Sequence, residues 1–320
     1  MARIDAISVI MPTYNAMPYL QAAVESILGQ TFDRIELIIV NDGSTDQSGE
    51  YLRSLTDPRV RVINQENRGA AAAYDAGLRA ALYDWVAPMD ADDVALPQRL
   101  EREAAFLEQN PHYDLVSCSW GYIGKNGRRL KAVHVPELRL PPRFQPLIDS
   151  VIVDGGMLYC KEAVLQVGGY ANDCVTDLTL ALRLDEAGHR LASIPDVLLL
   201  VRVLPGSVSS RNYYRQLVSA RYVRACSVAR RRGEREPDWE EFAKENWPRG
   251  WRRLRAEGAR QFRFAGIAWA AGDYVRAALR LLLSFVLRPM YVVSKFRMYF
   301  FSDAGTQVAP LPRARREDAP

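Results

Sequence analysis

Three carboxylates in four residues, Asp90-Ala91-Asp92-Asp93, follow directly on the apolar run Trp85–Met89. Crowded carboxylates repel one another unless positive charge sits among them. A hard divalent cation takes its ligands from such oxygens, and equally from the phosphates of a substrate. The same residues also read as a solvated acidic turn capping a helix that starts near Pro97, and on this cluster alone the two readings stand level. The segment Asn41-Asp42-Gly43-Ser44-Thr45-Asp46 ends another apolar run. Asp42 there could accept a hydrogen bond from a nucleobase N–H, and Gly43 permits close approach of backbone. Taken alone, the segment is an ordinary strand-to-helix turn whose Ser44, Thr45 and Asp46 cap the helix. Pro12-Thr13-Tyr14-Asn15 puts a tyrosine at a strand end, where it could stack on a base or simply pack. Asp177 opens the helical stretch DLTLALR. It could take a proton from a hydroxyl, although by itself it reads better as a charge complementing the helix dipole.

These residues need elements to hold them. Ile7–Met11, Ile35–Val40, Val60–Ile63 and Trp85–Met89 are short, apolar and β-rich, as buried parallel strands are. Helical spacing over 18–30, 47–55, 70–82 and from Pro97 to about Gln109 separates and follows them. The alternation predicts an α/β fold with a parallel sheet covered on both faces, and it sets every polar motif just beyond a strand, including the Asn67–Gly69 turn. That carboxyl edge is where open α/β sheets bind ligands. Residues 113–123 and 130–135 read as strands of a smaller mixed sheet, and 136–154 as proline-rich loop. Residues 157–167 read as a strand entering a helix, 177–187 as a helix and 194–203 as a strand.

In this order the stretches ISVIMPTYN (7–15), SILGQTF (26–32), ELIIVNDGSTD (36–46), NRG (67–69), MDADDVALPQRL (89–100), TDLTLALRL (176–184) and LLLVRVLPGSVSS (198–210) resemble the family-two inverting glycosyltransferases of the GT-A fold. The resemblance covers about residues 5–210. It implies a Rossmann-like, mostly parallel sheet and transfer of a sugar from a nucleotide sugar, with UDP as the expected nucleotide, to a glycan or lipid-linked hydroxyl. Pro12, Thr13, Tyr14, Asp42, Asn67 and Gly69 would contact the donor, with Asp42 on the base edge. Asp90 would lie near the ribose or sugar. Asp92 would ligate the Mg²⁺ or Mn²⁺ that holds the diphosphate. Asp177 matches the general base, Arg183 the arginine that ends its motif, and Arg202 lies in the strand that closes the donor site.

The chain departs from the family pattern at Asn41, where aspartate is common. Tyr74-Asp75 replaces Arg-Asn, Thr176 stands for glutamate before the base, and Leu204 stands for the frequent histidine of the closing loop. These departures keep open an inactive, sugar-nucleotide-binding relative. A sugar-1-phosphate nucleotidyltransferase would need a glycine-rich phosphate loop after the first strand, and PTYNAMPYL offers none.

The chain has 320 residues, 48% of them hydrophobic and 25% charged, enough to bury a core without staples. Cys118, Cys160, Cys174 and Cys226 form no CxxC pair, so they read as reduced thiols. With no secretory leader pattern at the start, the expected location is cytoplasmic, peripheral on the inner face of the membrane. The net charge of +4 conceals an asymmetry: residues 1–210 hold 19 basic and 27 acidic residues, whereas 211–300 hold 20 and 8. The expected organisation is a catalytic domain over 1–210, a basic amphipathic helical extension over 211–303 and a disordered tail over 304–320. In the extension Trp247, Trp251, Trp269 and Tyr274 are interleaved with arginines. Its apolar run Leu281–Leu287 is far shorter than the ~20 residues of a membrane crossing. Amphipathic helices on an anionic membrane surface and a hairpin packed on the catalytic domain or a second subunit both fit. Nucleic acid is not an expected partner, since no nucleic-acid module accompanies the arginines.

Overall fold

A computed structural model describes residues 3–127, 129–133, 138–140, 154–170, 175–204, 212–270 and 272–294. The first half follows the predicted alternation: β1 (Ile7–Thr13), α1 (Leu20–Leu28), β2 (Ile35–Asp42), α2 (Ser48–Ser54), β3 (Val60–Gln65), α3 (Ala70–Ala80) and β4 (Trp85–Pro88). The short β5 (Val94–Ala95) and α4 (Arg99–Gln109) come next. Then follow β6 (Leu115–Ile123), β7 (Arg129–Val133), β8 (Leu138–Leu140), β9 (Met157–Cys160), α5 (Lys161–Gln166), α6 (Thr176–Glu186) and β10 (Leu191–Arg202).

One ten-stranded sheet runs in the order β3-β2-β1-β4-β9-β6-β10-β5, with β7 on β6 and β8 on β10. Strands β3, β2, β1 and β4 are parallel to one another, as are β6 and β10, while β9 enters antiparallel between β4 and β6. Residues 113–123 therefore do not start a separate small sheet; β6 is an interior strand of the main one. Its Ser117 and Ser119 give it the polar alternation of a half-exposed strand, yet both are fully buried. Within the segment read as loop, β8 pairs with β10. The rest of that segment, apart from Asp154, and the 304–320 tail lie outside the described residues.

The alternation of β1 sorts the core. Ile7, Val9 and Met11 face a cluster with α1 and α4, while Ile10 joins Ile38, Val40, α3 and α6 on the opposite face. Helix α1 buries Leu20, Ala23, Val24 and Ile27, one stripe at helical spacing. Pro12, which has no N–H, sits past the last β1–β4 pair, Ile10 with Pro88, where no ladder partner needs one.

The described residues form two compact units that divide between Trp247 and Pro248. The first includes α7 (Tyr213–Arg232) and α8 (Trp239–Asn246). Helix α7 is tied to α6 by Arg230, whose guanidinium forks onto Glu186 at 2.6 and 3.1 Å, and by Arg231 on Asp185. The second holds α9 (Gly250–Ala270) and α10 (Tyr274–Leu287).

Gly77 lets α3 close on the sheet. A Cβ there would lie 3.1 Å from Ile10 Cβ and 3.4 Å from Val40 Cγ2. Gly77→Val is expected to lower stability by about 1–3 kcal/mol through overpacking, read as a lower urea midpoint. An unchanged midpoint would mean that α3 can move off the sheet without loss.

Candidate active site

The carboxyl ends of β1, β2 and β3 are stitched together by short polar side chains. Asn15, at φ 49°, accepts on Oδ1 from the N–H of Thr45 (2.8 Å) and of Asp46 (3.2 Å). The N–H groups of Asn15 and Ala16 donate to Ser44 Oγ and Ser48 Oγ at 3.1 and 3.0 Å. The loop after β1 is thereby held against the loop after β2. Thr13 is buried at its base and Tyr14 projects, exposed.

Asp42 performs the same service one strand further. Its Oδ1 accepts from Gln65 Nε2 (2.6 Å) and the Arg68 N–H (2.9 Å), and its Oδ2 from the Gly69 N–H (2.9 Å). The buried carboxylate thus fixes the Asn67–Gly69 turn. It keeps about one of its four acceptor positions for anything else. Gly43, at φ 74°, is required here, because a Cβ would stand 2.9 Å from the Asn67 nitrogen.

At the end of β4 the Met89 N–H still pairs with Ile10 O, and the acidic turn begins at the next residue. Asp90 Oδ1 accepts from the Tyr74 hydroxyl at 2.6 Å. The Tyr74 ring stacks on Tyr170 with centroids 4.8 Å apart, and the Tyr170 hydroxyl lies 2.9 Å from that of Tyr159. Asp93 Oδ1 accepts from the Arg202 N–H at 2.7 Å, while Arg202 Nε donates to Asp92 O at 2.7 Å and Nη1 to Gly124 O at 3.0 Å. The same guanidinium stands 4.5 Å over the Tyr19 ring. Arg202 at the end of β10 therefore clamps the acidic turn from the other side of the sheet.

Removal from water raises the pKa of all three carboxyls. Asp90 is raised by burial, opposed by Tyr74 and Arg99. Asp93 is pushed well up by burial and by its two acidic neighbours. Asp92 is pushed up to about 6, chiefly by burial and then by Asp90. Arg99 lies fully buried beneath them. It donates to Pro88 O (3.1 Å) and Met157 O (3.0 Å), joining β4 to β9, and sits 3.4 Å from Glu103. No chemistry was assigned to Arg99 or Tyr19 from the sequence. The available signal was Arg99 and Glu103 at i,i+4, inside the stripe that continues through Leu100, Ala104 and Leu107.

Among the described residues no three metal-ligating side chains converge. Asp90 and Asp93 are engaged, and Asp92 makes no ion pair among the described residues. One or two carboxylates completed by substrate phosphates is how Mg²⁺ is commonly held. A buried carboxylate beside a second one, as Asp92 is beside Asp90, gains from an added cation, so the donor set fits a metal arriving with a diphosphate. Asp177 stands in the first turn of α6, half-buried, its Oδ1 accepting the Leu178 N–H at 2.7 Å. Arg183 is six residues further, about 9 Å along the helix, and its Nη1 lies 3.9 Å from where a Gly168 Cβ would be. Asp75 braces Arg79 at 2.8 Å and abuts Gly169.

The sequence profile of Glycosyl transferase family 2 matches residues 8–168, half of the chain. The chain belongs to that family. An uncharacterised glycosyltransferase of Haemophilus influenzae is 31% identical over 64% of this chain and 78% of its own length. The putative glycosyltransferase EpsE of Bacillus subtilis is 32% identical over 61% and 72%. Among solved structures, Staphylococcus aureus TarS 1–349 with UDP-GlcNAc aligns with TM-score 0.58 at 17% identity, over 93% of this chain and 91% of that one. The mannosyltransferase PcManGT of Pyrobaculum calidifontis, with GDP-Man and Mn²⁺, aligns with TM-score 0.57 at 19% identity, over 95% and 87%. The family-two chain is a glycosyltransferase with the GT-A fold, and the departures at Tyr74 and Asp75 lie in its α3, where Tyr74 holds Asp90.

Two predictions follow from the buried charges. Arg99→Ala leaves Glu103 buried without its cation and β4 and β9 without their shared donor. A loss of about 3 kcal/mol is expected in urea unfolding, and wild-type stability would show that the cation is dispensable. Asp92 has a folded pKa above its unfolded value, so the folded state binds more protons between about pH 4 and 6 and loses stability as pH rises through that window. Asp92→Asn should therefore stabilise the metal-free protein by on the order of 1 kcal/mol at pH 7.5 and not at pH 4. Equal melting shifts at both pH values would refute the crowding of Asp92.

Proposed function

We propose that this glycosyltransferase moves a sugar from a nucleotide sugar, with UDP as the favoured nucleotide, onto a hydroxyl of a glycan or lipid-linked acceptor with inversion. The observation that carries the reading is the convergence, at the carboxyl ends of β1 to β4, of Tyr14, the Asp42-held turn and the acidic turn clamped by Arg202. Support for the donor class comes from the structural neighbours that were solved with UDP-GlcNAc and with GDP-Man and Mn²⁺.

In this reading Tyr14 offers a ring to the base, Asn67 and Gly69 line the nucleoside end with the buried Thr13 beneath Tyr14, and the last acceptor position of Asp42 is available to a base N–H. Asp90, oriented by the Tyr74 hydroxyl, accepts from the ribose or sugar. Asp92, together with the donor phosphates, would hold Mg²⁺ or Mn²⁺, which supplies Lewis-acid stabilisation of the diphosphate. Arg202 fixes the backbone that carries Asp92 and Asp93, so the carboxylate does not swing as charge builds. Asp177 takes the proton of the acceptor hydroxyl as its oxygen bonds to the anomeric carbon. The bond from that carbon to the diphosphate breaks, and the nucleoside diphosphate leaves with the electron pair. Attack opposite the leaving group inverts the centre. Arg183 lies in the last turn of the same helix.

The test is calorimetric titration with UDP and a panel of nucleotide sugars, with and without Mn²⁺. Metal-dependent binding that Asp92→Ala abolishes is the expected result. No nucleotide binding by the folded protein would end the donor-site assignment. Asp177→Asn should bind donor normally and lose about 10²–10⁴-fold in turnover. Donor binding without turnover in the wild type would instead identify a binding-only relative.

A further inference from the structure

The second compact unit buries a few apolar side chains, among them Ile267 and Val292, and leaves most of those of α10 exposed. Helices α9 and α10 meet through small and polar groups: Ser284 Oγ donates to Gly258 O at 2.7 Å, and Arg280 Nη1 to Gln261 Oε1 at 3.0 Å. A Cβ at Gly258 would stand 2.8 Å from Arg288 Cβ, so the close approach depends on that glycine. Within α10 only Ala277 and Ser284 are buried. Val275, Leu279, Leu282 and Val286, at steps of four, three and four, are exposed along one face, and Met290 and Val293, beyond the end of α10, are exposed too. A hairpin stabilised by its own core would turn these leucines and valines inward.

The charge around the exposed face has one sign. Residues 248–294 hold nine arginines against one glutamate and one aspartate, a net charge of +7. Both acids are already paired, Glu257 with Arg260 at 3.0 Å and Asp273 with Arg276 at 3.3 Å. Trp251 and Trp269 are 81% and 64% exposed. They are 18 residues apart on α9, five full turns, so they share one azimuth about 27 Å apart. Tryptophan at such positions suits the headgroup level of a bilayer. Among the described residues no helix is long and apolar enough to cross a membrane.

We propose that this hairpin docks in the plane of an anionic lipid bilayer, α10 setting its apolar face among the acyl chains while the arginines meet lipid phosphates. Charge decides between the possible occupants of the face. A second copy would bring a like-charged hairpin against this one, and nucleic acid would leave the leucine and valine stripe uncovered. An anionic bilayer satisfies both the stripe and the arginines.

The full chain would be sedimented with vesicles of phosphatidylcholine alone and of phosphatidylcholine with phosphatidylglycerol. Binding to the anionic vesicles is expected, roughly tenfold or more weaker on neutral ones and released by salt. Leu282→Glu with Val286→Glu should weaken it at least about tenfold, and Arg252→Glu with Arg253→Glu should reduce the preference for phosphatidylglycerol. All four sites are exposed, and far-UV circular dichroism verifies the fold. No sedimentation with either vesicle, or equal binding to both, would overturn the proposal. So would a dimer in solution that Leu282→Glu dissociates while vesicle binding is unchanged, because a second copy would then cover the face. The readout requires no turnover, so it stands or falls separately from the sugar-transfer reading.

Discussion

Crowding three carboxylates at the end of β4 is the constraint around which the catalytic unit is arranged. Such a turn is stable only where its oxygens and backbone are held from several directions. The chain brings those holders from far along the sequence: Tyr74 from α3 grips Asp90, Arg202 from β10 grips Asp93 and the Asp92 carbonyl, and Arg99 lies buried below. Asp92 makes no ion pair among the described residues, and burial, with the Asp90 charge second, raises its proton affinity.

The tyrosine at position 74 changes how that turn is supported. Its hydroxyl donates to Asp90 while its ring leans on Tyr170, whose own hydroxyl meets Tyr159 of β9. The wall behind Asp90 is therefore aromatic and uncharged. Positive charge comes from beneath, from Arg99, whose guanidinium also joins β4 to β9. Tyr74, where the family resemblance expects arginine, thus holds Asp90 at the sheet edge through a neutral hydrogen bond.

The strands, the helices between them and the edge that carries the polar motifs were legible in the chain because they depend on local periodicity. Runs such as Leu37–Val40 are buried on both faces and read as continuous apolar segments. Strand β6 was legible as a strand, but its two buried serines disguised its interior place in the sheet. Arg99 was illegible as a buried ion because an arginine in an amphipathic helix ordinarily faces water, and only the proximity of Pro88 O and Met157 O makes burial tolerable.

The sequence by itself determined the α/β alternation, the family, and the identity of the acidic turn, the Asp42 turn and the helix headed by Asp177, since each is a short contiguous signal. Tertiary structure alone decided what holds them. Asp42 meets Gln65, Arg68 and Gly69, Asp90 meets Tyr74, and Asp93 meets Arg202 across 109 residues. Tertiary structure also decided that α10 turns its valines and leucines outward. Which of two amphipathic faces is covered depends on the partner helix, and Gly258 and Ser284 admit only the small face. Local spacing encodes what a segment is, whereas hydrogen-bond partners and covered faces depend on chain returning from a distance.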